Sequence, residues 1–460
     1  MNISIEQIIK ATRGRLLQEG ENVFSGVSTD SRSIKSGELF VPLSGEHFDG
    51  HNFIRQAVKS GAAGALVEEG KDIHQPGLAL IEVADTLRAL QDLAHSVRMT
   101  RPGLPLVGIT GTNGKTTTKE MLASILSRRG PVLKNEGNLN NHIGVPLTLL
   151  KLREEHWAAV IEMGMSSPGE IDRLAKIAAP QTGVITNIGP AHLDVLRDLA
   201  GVAKAKAELI SALPPEGIAI LNADDPYLKT AASEFKGKTL SFGLGRDAQV
   251  FATDIEEQQK GMSFRLKAPG ASAAIKLNFI GSHNVYNALA AAAAAFALGM
   301  TAEEIREGLE ECRPAKMRMQ EEIIGGVRVI NDTYNANPAS MAAAISALAA
   351  MKGGRKFAIL GEMLELGSTA SRSHFDTGRL AGASGVYMLV LVGEHAPDAA
   401  QGAIEAGMPE ENIFIASGPE KAASIAAEFL KPGDVALVKG SRGSRMELAV
   451  ERLKAGRIHV

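Results

Sequence analysis

A chain of 460 residues is too long for one hydrophobic core, and its length predicts about three domains. Its 45% hydrophobic and 22% charged residues are typical of a soluble globular protein. The net charge of −3, without a dense block of Lys and Arg, argues against nucleic-acid binding.

Three further features of the sequence indicate a cytoplasmic protein. The only cysteine, Cys312, excludes an internal disulfide and fits a reducing compartment. The first residues lack the basic and apolar regions of a signal peptide. The apolar run 288–296 is too short to span a bilayer, so we expect no membrane insertion.

The N-terminal region alternates short helical and extended patterns and predicts a small α/β domain. It contains two polar loops in which hydroxyl groups lie near an arginine, a combination that suits a diphosphate because arginine donates paired hydrogen bonds to phosphate. The candidate substrate-binding residues are Ser28, Thr29, Asp30, Ser31, Arg32, Ser44 and Gly45. Spacing alone also fits two ordinary surface turns.

The most specific signal is a glycine loop between an apolar strand pattern at 105–110 and a helical pattern at 116–129. Glycines let backbone N–H groups approach an anion, a lysine adds charge for the outer phosphates, and a threonine hydroxyl can bind Mg²⁺. The loop therefore predicts an ATP site formed by Gly111, Thr112, Asn113, Gly114, Lys115, Thr116 and Thr117. Ile109 stands where the usual phosphate-loop pattern has glycine, so a tight turn with a surface lysine is the alternative.

Polar residues also follow other predicted strands of this central region. Asn138, Asn140 and Asn141 lie in an asparagine-rich loop, which indicates a binding loop, although asparagine also favours plain turns. Glu162 ends one apolar strand pattern and His192 follows another. Because open α/β sheets bind ligands at the carboxyl ends of their strands, we predict a Mg²⁺ site there, with a structural histidine as the alternative.

The C-terminal part of the chain alternates apolar strand runs with helical segments, which predicts a second doubly wound domain. Asp332, Asn335 and Asn337 follow its first strand, again at a carboxyl end. Lys439 and Arg442 follow its last strand and suit a carboxylate or phosphate, with a basic surface turn as the alternative.

Several of these segments together resemble the Mur ligase family, whose members activate a carboxylate with ATP and join it to an amine. They extend over nearly the whole chain, at 28–32, 111–118, 137–144, 162–164, 187–192, 283–287, 331–338 and 439–442. The motifs Ser-Thr-Asp-Ser-Arg and Asn-Asp-Thr-Tyr-Asn-Ala-Asn-Pro are most similar to members that act on UDP-N-acetylmuramoyl-tripeptide and D-alanyl-D-alanine.

The resemblance implies an α/β fold with three domains: a small UDP-binding domain at 1–98, a P-loop ATPase-like doubly wound domain at 99–314 and a Rossmann-like domain at 315–460. It also implies a reaction of peptidoglycan synthesis. ATP phosphorylates the tripeptide carboxylate, and the dipeptide amine attacks the acyl phosphate to give UDP-N-acetylmuramoyl-pentapeptide, ADP and phosphate. We expect a monomer whose third domain closes onto the core to bring Asp332 to the nucleotide.

The resemblance further assigns a role to each candidate residue. The phosphate loop with His283, Asn284, Asn287 and Asp332 would bind ATP, and Thr116, Glu162, His192 and Lys206 would hold Mg²⁺. Lys115, Glu162, His192 and Lys206 would be catalytic, while Asn138, Asn140, Asn141, Asn335, Asn337, Lys439 and Arg442 would contact substrate. Lys206 matches a lysine that is carbamylated in several members, with Lys204 as second choice. By periodicity alone, both lysines are solvated surface residues.

Two other functions stay open at this point. A folylpolyglutamate synthase-like ligase would have the same phosphate loop and the same kind of metal site, although the first-domain motif favours a UDP-linked substrate. A non-enzymatic nucleotide switch would bind or hydrolyse ATP without needing an amine acceptor.

Overall fold

The computed structural model describes residues 2–46, 48–258 and 261–456, and three mostly parallel sheets follow one another along this part of the chain. Helices pack on these sheets, as expected for an α/β protein whose strands are apolar runs. The structure is therefore of the predicted α/β class. The predicted domain boundaries stay predictions.

Short strands and helices alternate in the N-terminal region. The strands are β1 (Ile3–Ser4), β2 (Arg15–Gln18), β3 (Val23–Phe24), β4 (Gly26–Ser28), β5 (Glu38–Phe40), β6 (Ser44–Gly45), β7 (Phe48–Asp49), β8 (Gly64–Glu68) and β9 (Ala79–Val83), and the helices are α1 (Ile5–Thr12), α2 (Ile54–Lys59) and α3 (Thr86–Met99). A five-stranded sheet has the order β2-β9-β8-β5-β4, in which β2 alone is antiparallel to its neighbour.

The central region is built on a nine-stranded sheet in the order 11-12-10-13-14-15-16-17-18. Its strands are β10 (Leu106–Thr110), β11 (Val132–Lys134), β12 (Ala158–Glu162), β13 (Thr182–Ile185), β14 (Ile218–Asn222), β15 (Lys238–Gly243), β16 (Val250–Gln258), β17 (Gly261–Ala268) and β18 (Ala271–Leu277). Its helices are α4 (Lys115–Leu126), α5 (Gly144–Leu149), α6 (Glu170–Ala178), α7 (Leu193–Leu196), α8 (Leu199–Ser211), α9 (Pro226–Glu234), α10 (His283–Ala297) and α11 (Ala302–Glu311).

The C-terminal region has a six-stranded sheet in the order 19-20-24-21-22-23, antiparallel only between its first two strands. The strands are β19 (Gln320–Ile324), β20 (Val327–Asp332), β21 (Lys356–Leu360), β22 (Met388–Val392), β23 (Ile413–Ala416) and β24 (Val435–Lys439). The helices are α12 (Pro338–Ala350), α13 (Ala370–Ala383), α14 (Ala396–Glu405), α15 (Pro419–Phe429) and α16 (Glu447–Ala455).

Sequence alternation over residues 239–280 predicts antiparallel strands. The prediction is confirmed for β16, β17 and β18 and wrong for β15, which runs parallel to both of its neighbours. The crossover helix α9 returns the chain in the same direction before β15, as a parallel connection requires. The antiparallel part of the sheet is β16, β17 and β18.

The alanine-rich helix α10 is the centre of the core on one face of the central sheet. Ala288 to Ala295 are all fully buried, because alanine lets the helix lie close to α4 and to the strands. Cys312 is buried against the same core, and burial raises the pKa of its thiol to about 12. None of the helices within the described residues is both long and apolar enough to cross a membrane.

Helices α13 and α14 pack together so closely that glycine is required at their contact. A Cβ atom on Gly378 would lie 1.7 Å from the backbone oxygen of Ala399, and one on Gly402 would lie 2.0 Å from that of Phe375. Both obstacles are backbone atoms, which cannot rotate away. The contact therefore depends on the absence of side chains.

We expect Gly378→Ala to destabilise the protein by roughly 3 kcal/mol, because the added methyl group forces the two helices apart. Gly103→Ala is the matched control, since nothing lies within 4 Å of a Cβ atom built at that turn position. Urea unfolding followed by circular dichroism measures both variants. Equal stability of the two variants would contradict this account of the helix contact.

Candidate functional site

A cavity of about 650 Å³ lies where the carboxyl ends of the central parallel strands face the C-terminal region. The loops after β10, β12 and β13, the start of α10 and the loop after β20 all contribute to its wall. The predicted residues in this wall are Gly111, Thr112, Asn113, Gly114, Lys115, Thr116, Thr117, Asn138, Asn140, Asn141, Glu162, His192, Lys206, His283, Asn284, Asn287, Asp332, Asn335, Asn337 and Lys439. The structure thus brings together candidates that are far apart in sequence.

The phosphate loop needs glycine at two positions. Gly111 has φ 143° and Gly114 has φ 82°, conformations that favour glycine. A Cβ atom at Gly111 would lie 1.9 Å from Thr186 Oγ1, and one at Gly114 would lie 2.0 Å from Asn287 Oδ1. Helix α4 begins at Lys115, immediately after this turn, so its N-terminal amides face the cavity and favour an anion.

The loop after β13 is hydrogen-bonded along its length to the phosphate loop. Thr112 Oγ1 donates to Gly189 O at 3.1 Å and accepts from Gly189 N at 2.9 Å. Asn113 N donates to Asn187 Oδ1 at 3.0 Å, while Thr186 Oγ1 donates to Asn113 O at 2.6 Å. These bonds make the two loops one unit.

Lys115 folds back over its own loop. Its Nζ donates to Gly111 O at 2.8 Å and to Thr112 O at 3.0 Å. Burial lowers the pKa of Lys115; Glu162 opposes this shift and Arg318 adds to it. The ammonium is therefore held where the phosphates of a nucleotide would meet the loop amides.

Glu162 lies at the end of β12 with an exposure of only 2% and is surrounded by hydrogen-bond donors. Thr116 Oγ1 donates to its Oε2 at 2.8 Å, and Asn140 Nδ2 donates to its Oε1 at 2.8 Å. Asn135 accepts from the Glu162 backbone N–H at 2.7 Å and so fixes the backbone. A hydroxyl and a carboxylate side by side are the oxygen donors that Mg²⁺ prefers.

Lys206 and His192 also line the cavity. Lys206 is 3% exposed and has no carboxylate at ion-pair distance within the described residues, and burial, with a smaller effect of Lys115, lowers its pKa well below the usual range. Lys204, the second choice, is exposed. His192 Nδ1 lies 2.7 Å from Glu365 Oε2 of the C-terminal region, and burial lowers the pKa of His192 against the effect of that carboxylate.

The donor set fits a metal only together with ligand oxygens. Among the residues that the structure describes, no three His, Cys, Asp or Glu side chains form a metal-type cluster. Thr116 and Glu162 alone supply two adjacent oxygens. Mg²⁺ usually keeps few protein ligands and completes its shell with phosphate and water, so this pair suits a nucleotide-bound Mg²⁺.

The C-terminal region closes the cavity with an ion pair and an amide pair. Lys439 Nζ donates to Asp332 Oδ2 at 2.6 Å and to Asn335 O at 2.9 Å, so the charge of the buried lysine is balanced by that of a partly buried aspartate. Asn337 Nδ2 donates to Asn113 Oδ1 at 2.8 Å, and Asn113 Nδ2 donates back at 3.3 Å. The phosphate loop thus contacts the third sheet's region directly.

Arg318 is a cavity residue that the sequence analysis missed. Its guanidinium lies 4.0 Å from the ring centroid of Tyr334, and both side chains line the cavity. The residues on either side, Met317 and Met319, have φ values of 60° and 48°, a strained conformation for methionine. The only sequence signal was a basic residue shortly after the Arg313-Pro314 boundary.

Eight predicted substrate residues lie outside this cavity: Ser28, Thr29, Asp30, Ser31, Arg32, Ser44, Gly45 and Arg442. Asp30 and Arg32 form a two-bond ion pair of 2.9 and 2.8 Å, and this hydrogen bonding lowers the pKa of Asp30 to about 2. Ser44 donates to Asp49 at 3.3 Å in the second polar loop. The roles of these residues stay predictions.

Family models match most of the chain. They are "Mur ligase family, catalytic domain" at residues 23–98, "Mur ligase middle domain" at 109–295 and "Mur ligase, glutamate ligase domain" at 317–442. A relative from Bacillus subtilis (strain 168), named UDP-N-acetylmuramoyl-tripeptide--D-alanyl-D-alanine ligase, is 36% identical over 98% of both chains.

Solved structures agree with these matches. MurF from Acinetobacter baumannii superposes with a TM-score of 0.90 at 37% identity and covers 99% of each chain. MurF ligase from Thermotoga maritima in complex with ADP has a TM-score of 0.82 at 29% identity, covering 94% of this chain and 97% of its own. The resemblance inferred from the motifs is confirmed, and the chain belongs to the Mur ligase family, with its three-domain α/β architecture.

Proposed function

We propose that this chain is an ADP-forming ligase that joins D-alanyl-D-alanine to UDP-N-acetylmuramoyl-tripeptide in cytoplasmic peptidoglycan synthesis. The observation that carries the proposal is the single cavity shared by the phosphate loop, the Thr116–Glu162 pair and the C-terminal region. The names of full-length relatives supply the substrates. We expect the enzyme to act as a monomer.

The reaction needs an activated carboxylate, because oxide is too poor a leaving group for direct attack by an amine. Transfer of the γ-phosphoryl group from ATP to the tripeptide carboxylate forms a C–O–P linkage and releases ADP. The dipeptide amine then attacks the carbonyl carbon, phosphate leaves, and the amine proton passes to solvent or a nearby base. The chain's part is to bind, orient and neutralise these groups.

Two cationic side chains are suited to the transferred phosphoryl group. Lys115 is held against the phosphate-loop carbonyls, and Arg318 enters the same cavity from the C-terminal region. Stabilisation of charge on the phosphoryl oxygens is the main contribution that a protein makes to this type of transfer. Lys115 and Arg318 would therefore both stabilise negative charge on the γ-phosphate.

Mg²⁺ would be held by Thr116 and Glu162, whose oxygens are adjacent and buried. When bound, Mg²⁺ would neutralise negative charge on the phosphates. His192 and Lys206 would serve a second metal. The Lys206 amine is uncharged over more of the neutral range than an ordinary lysine because burial lowers its pKa, and it could then form an N–C bond to CO₂ with loss of a proton, giving a carbamate oxygen donor.

The remaining candidates divide between nucleotide and substrates. All seven of the following residues line the cavity: His283, Asn284, Asn287 and Asp332 would contact the nucleoside, and Asn138, Asn140 and Asn141 would contact the acid substrate. Ser28–Arg32, Ser44 and Gly45 would bind the uridine diphosphate from the first domain. Asn335, Asn337, Lys439 and Arg442 would contact substrate from the third domain, which we expect to close during the cycle.

The proposed activity predicts that ADP forms rapidly only when the UDP-linked tripeptide and D-alanyl-D-alanine are both present. Purified protein with Mg·ATP would be given the UDP-linked tripeptide, D-alanyl-D-alanine, or both, while phosphate release is followed. Phosphate release that requires both substrates, with a pentapeptide product in the mass spectrum, is the expected result. ATP hydrolysis independent of the dipeptide would favour a nucleotide switch, and activity with glutamate and a folate would favour the folylpolyglutamate alternative.

Replacement of the loop lysine tests the phosphate assignment. Lys115→Ala should lower kcat by about 10³-fold or more, since a donor to the developing charge is lost. Its melting temperature should stay close to that of the original protein, because Lys115 bonds only to carbonyls of its own loop. Lys10→Ala, on the exposed surface of α1, is the control with unchanged activity. Retained turnover in Lys115→Ala would refute the assignment.

The two lysines of α8 offer a matched test of carbamylation. Lys206→Ala should lose activity and regain part of it with acetate or formate, small acids that can replace the missing carboxylate. Lys204→Ala should behave as the original protein, because that side chain is exposed. The ¹³C NMR spectrum in labelled bicarbonate should show a carbamate signal that Lys206→Ala lacks. A signal that persists in Lys206→Ala would contradict the assignment.

A further inference from the structure

Lys119 is a fully buried lysine on α4, one turn beyond Thr116, to which neither the motifs nor the proposed reaction assigns a role. Its Nζ donates to Asn135 O at 2.8 Å and lies 3.2 Å from Glu120 Oε1 and 3.8 Å from Glu162 Oε2. Burial of an ammonium group costs free energy unless a carboxylate pairs with it, so the fold must keep Lys119 beside these carboxylates.

The positive charge of Lys119 balances the negative charge of the Glu162 carboxylate. Lys119 is the one cation at ion-pair distance from Glu162 among the described residues. The other contacts of the Glu162 carboxylate are the neutral donors Thr116 and Asn140. Because Lys119 lies beside Glu162, and Lys134 pairs with Glu120, the other carboxylate next to Lys119, the Thr116–Glu162 pair has little net attraction for a free divalent cation.

The rest of the cavity adds to this effect. Lys115 and Arg318 both lie in its wall, and the carboxylate of Asp332 is already paired with Lys439. Counting all Lys, Arg, Asp and Glu side chains in the wall, the four cations Lys115, Lys206, Arg318 and Lys439 outnumber the three carboxylates Glu162, Glu170 and Asp332. A divalent cation entering alone would thus meet a net positive wall. A polyphosphate reverses this balance, since it brings several negative charges and further oxygen ligands to the same place.

We propose that Lys119 makes metal binding at Thr116 and Glu162 conditional on nucleotide: its charge excludes the free divalent cation and admits the cation bound to a polyphosphate. This inference rests on the proposed Mg·ATP site. Lys119 touches neither substrate nor metal and is a positioning residue. Its ammonium lies 3.8 Å from Glu162 Oε2 and so helps to keep that carboxylate in one orientation beside Thr116.

The test is a titration of nucleotide-free protein with Mn²⁺, in which electron paramagnetic resonance reports the free ion. Lys119→Met keeps the length of the side chain and removes its charge, and we expect it to bind free Mn²⁺ at least tenfold more tightly than the original protein. A purely structural role predicts weaker or unchanged binding in this variant. Binding no tighter than in the original protein overturns the inference.

Glu120→Gln is the matched control in the same ion-pair cluster. Glu120 contacts Lys119 and also pairs with Lys134, so its loss leaves Lys119 free to pair with Glu162 alone. Free Mn²⁺ should bind this variant no more tightly than the original protein. Tighter binding in Glu120→Gln would show that general loosening of the cluster, and not the charge of Lys119, controls the metal, and would overturn the inference.

A double variant covers the case in which Lys119→Met does not fold. Lys119→Met with Glu120→Gln removes one charge of each sign, so the net charge of the ion-pair cluster is that of the original protein. It should still bind free Mn²⁺ severalfold more tightly than the original protein, because the removed cation is the one beside Glu162. Affinity equal to that of the original protein would overturn the inference.

A parallel titration with ATP separates this inference from the proposed function. The original protein should bind Mn²⁺ tightly with ATP and weakly without it. Failure of ATP to recruit the metal would reject the proposed ATP site. Normal recruitment by ATP, combined with unchanged free-metal affinity in Lys119→Met, would reject the role of Lys119 alone.

Discussion

The hydrogen bonds between the phosphate loop and the loop after β13 hold the candidate site together. Thr112 and Gly189 exchange two bonds, and Asn113 is bound by Thr186 and Asn187. The first loop carries Lys115, the proposed phosphate-binding lysine, and the second leads to His192 at a candidate metal position. The separation of the two loops is therefore set by hydrogen bonds that each join a side chain of one loop to the backbone of the other, and this is the rigidity that positioning of several reactants requires.

The same rigidity holds Lys115 and Lys206 in a partly buried cavity, where their positive charges repel each other. Burial lowers the pKa of both Lys115 and Lys206, a sign that their charged forms are less stable here than in water. The fold must offset this cost elsewhere, in its large aliphatic cores. A polyphosphate would supply the missing negative charge, so the proposed nucleotide site is prepared electrostatically during folding.

Sequence patterns predicted many of the residues that line this cavity, and there are physical reasons why the others were missed. Strand-end residues such as Glu162 were found because apolar runs mark strands and parallel strands share one ligand-binding edge. Arg318 was missed because the backbone strain at Met317 and Met319, which directs it, leaves no local pattern. Lys119 was missed because helical periodicity cannot distinguish a solvated lysine from a buried, paired one. The direction of β15 depended on a crossover that alternation does not encode.

Asn337 both caps a helix and contacts the phosphate loop, and these two roles together explain why an asparagine occupies this position. Its Oδ1 caps α12 by accepting from Ser340 N at 2.9 Å, while its Nδ2 donates to Asn113 in the phosphate loop at 2.8 Å. Serine or aspartate would cap the helix equally well, but neither offers an N–H donor to the loop. Only an amide satisfies both demands from one side chain. The start of α12 and the contact between the central and C-terminal parts of the cavity therefore depend on the same side chain. A change in the conformation of the phosphate loop would for this reason also affect the first turn of α12.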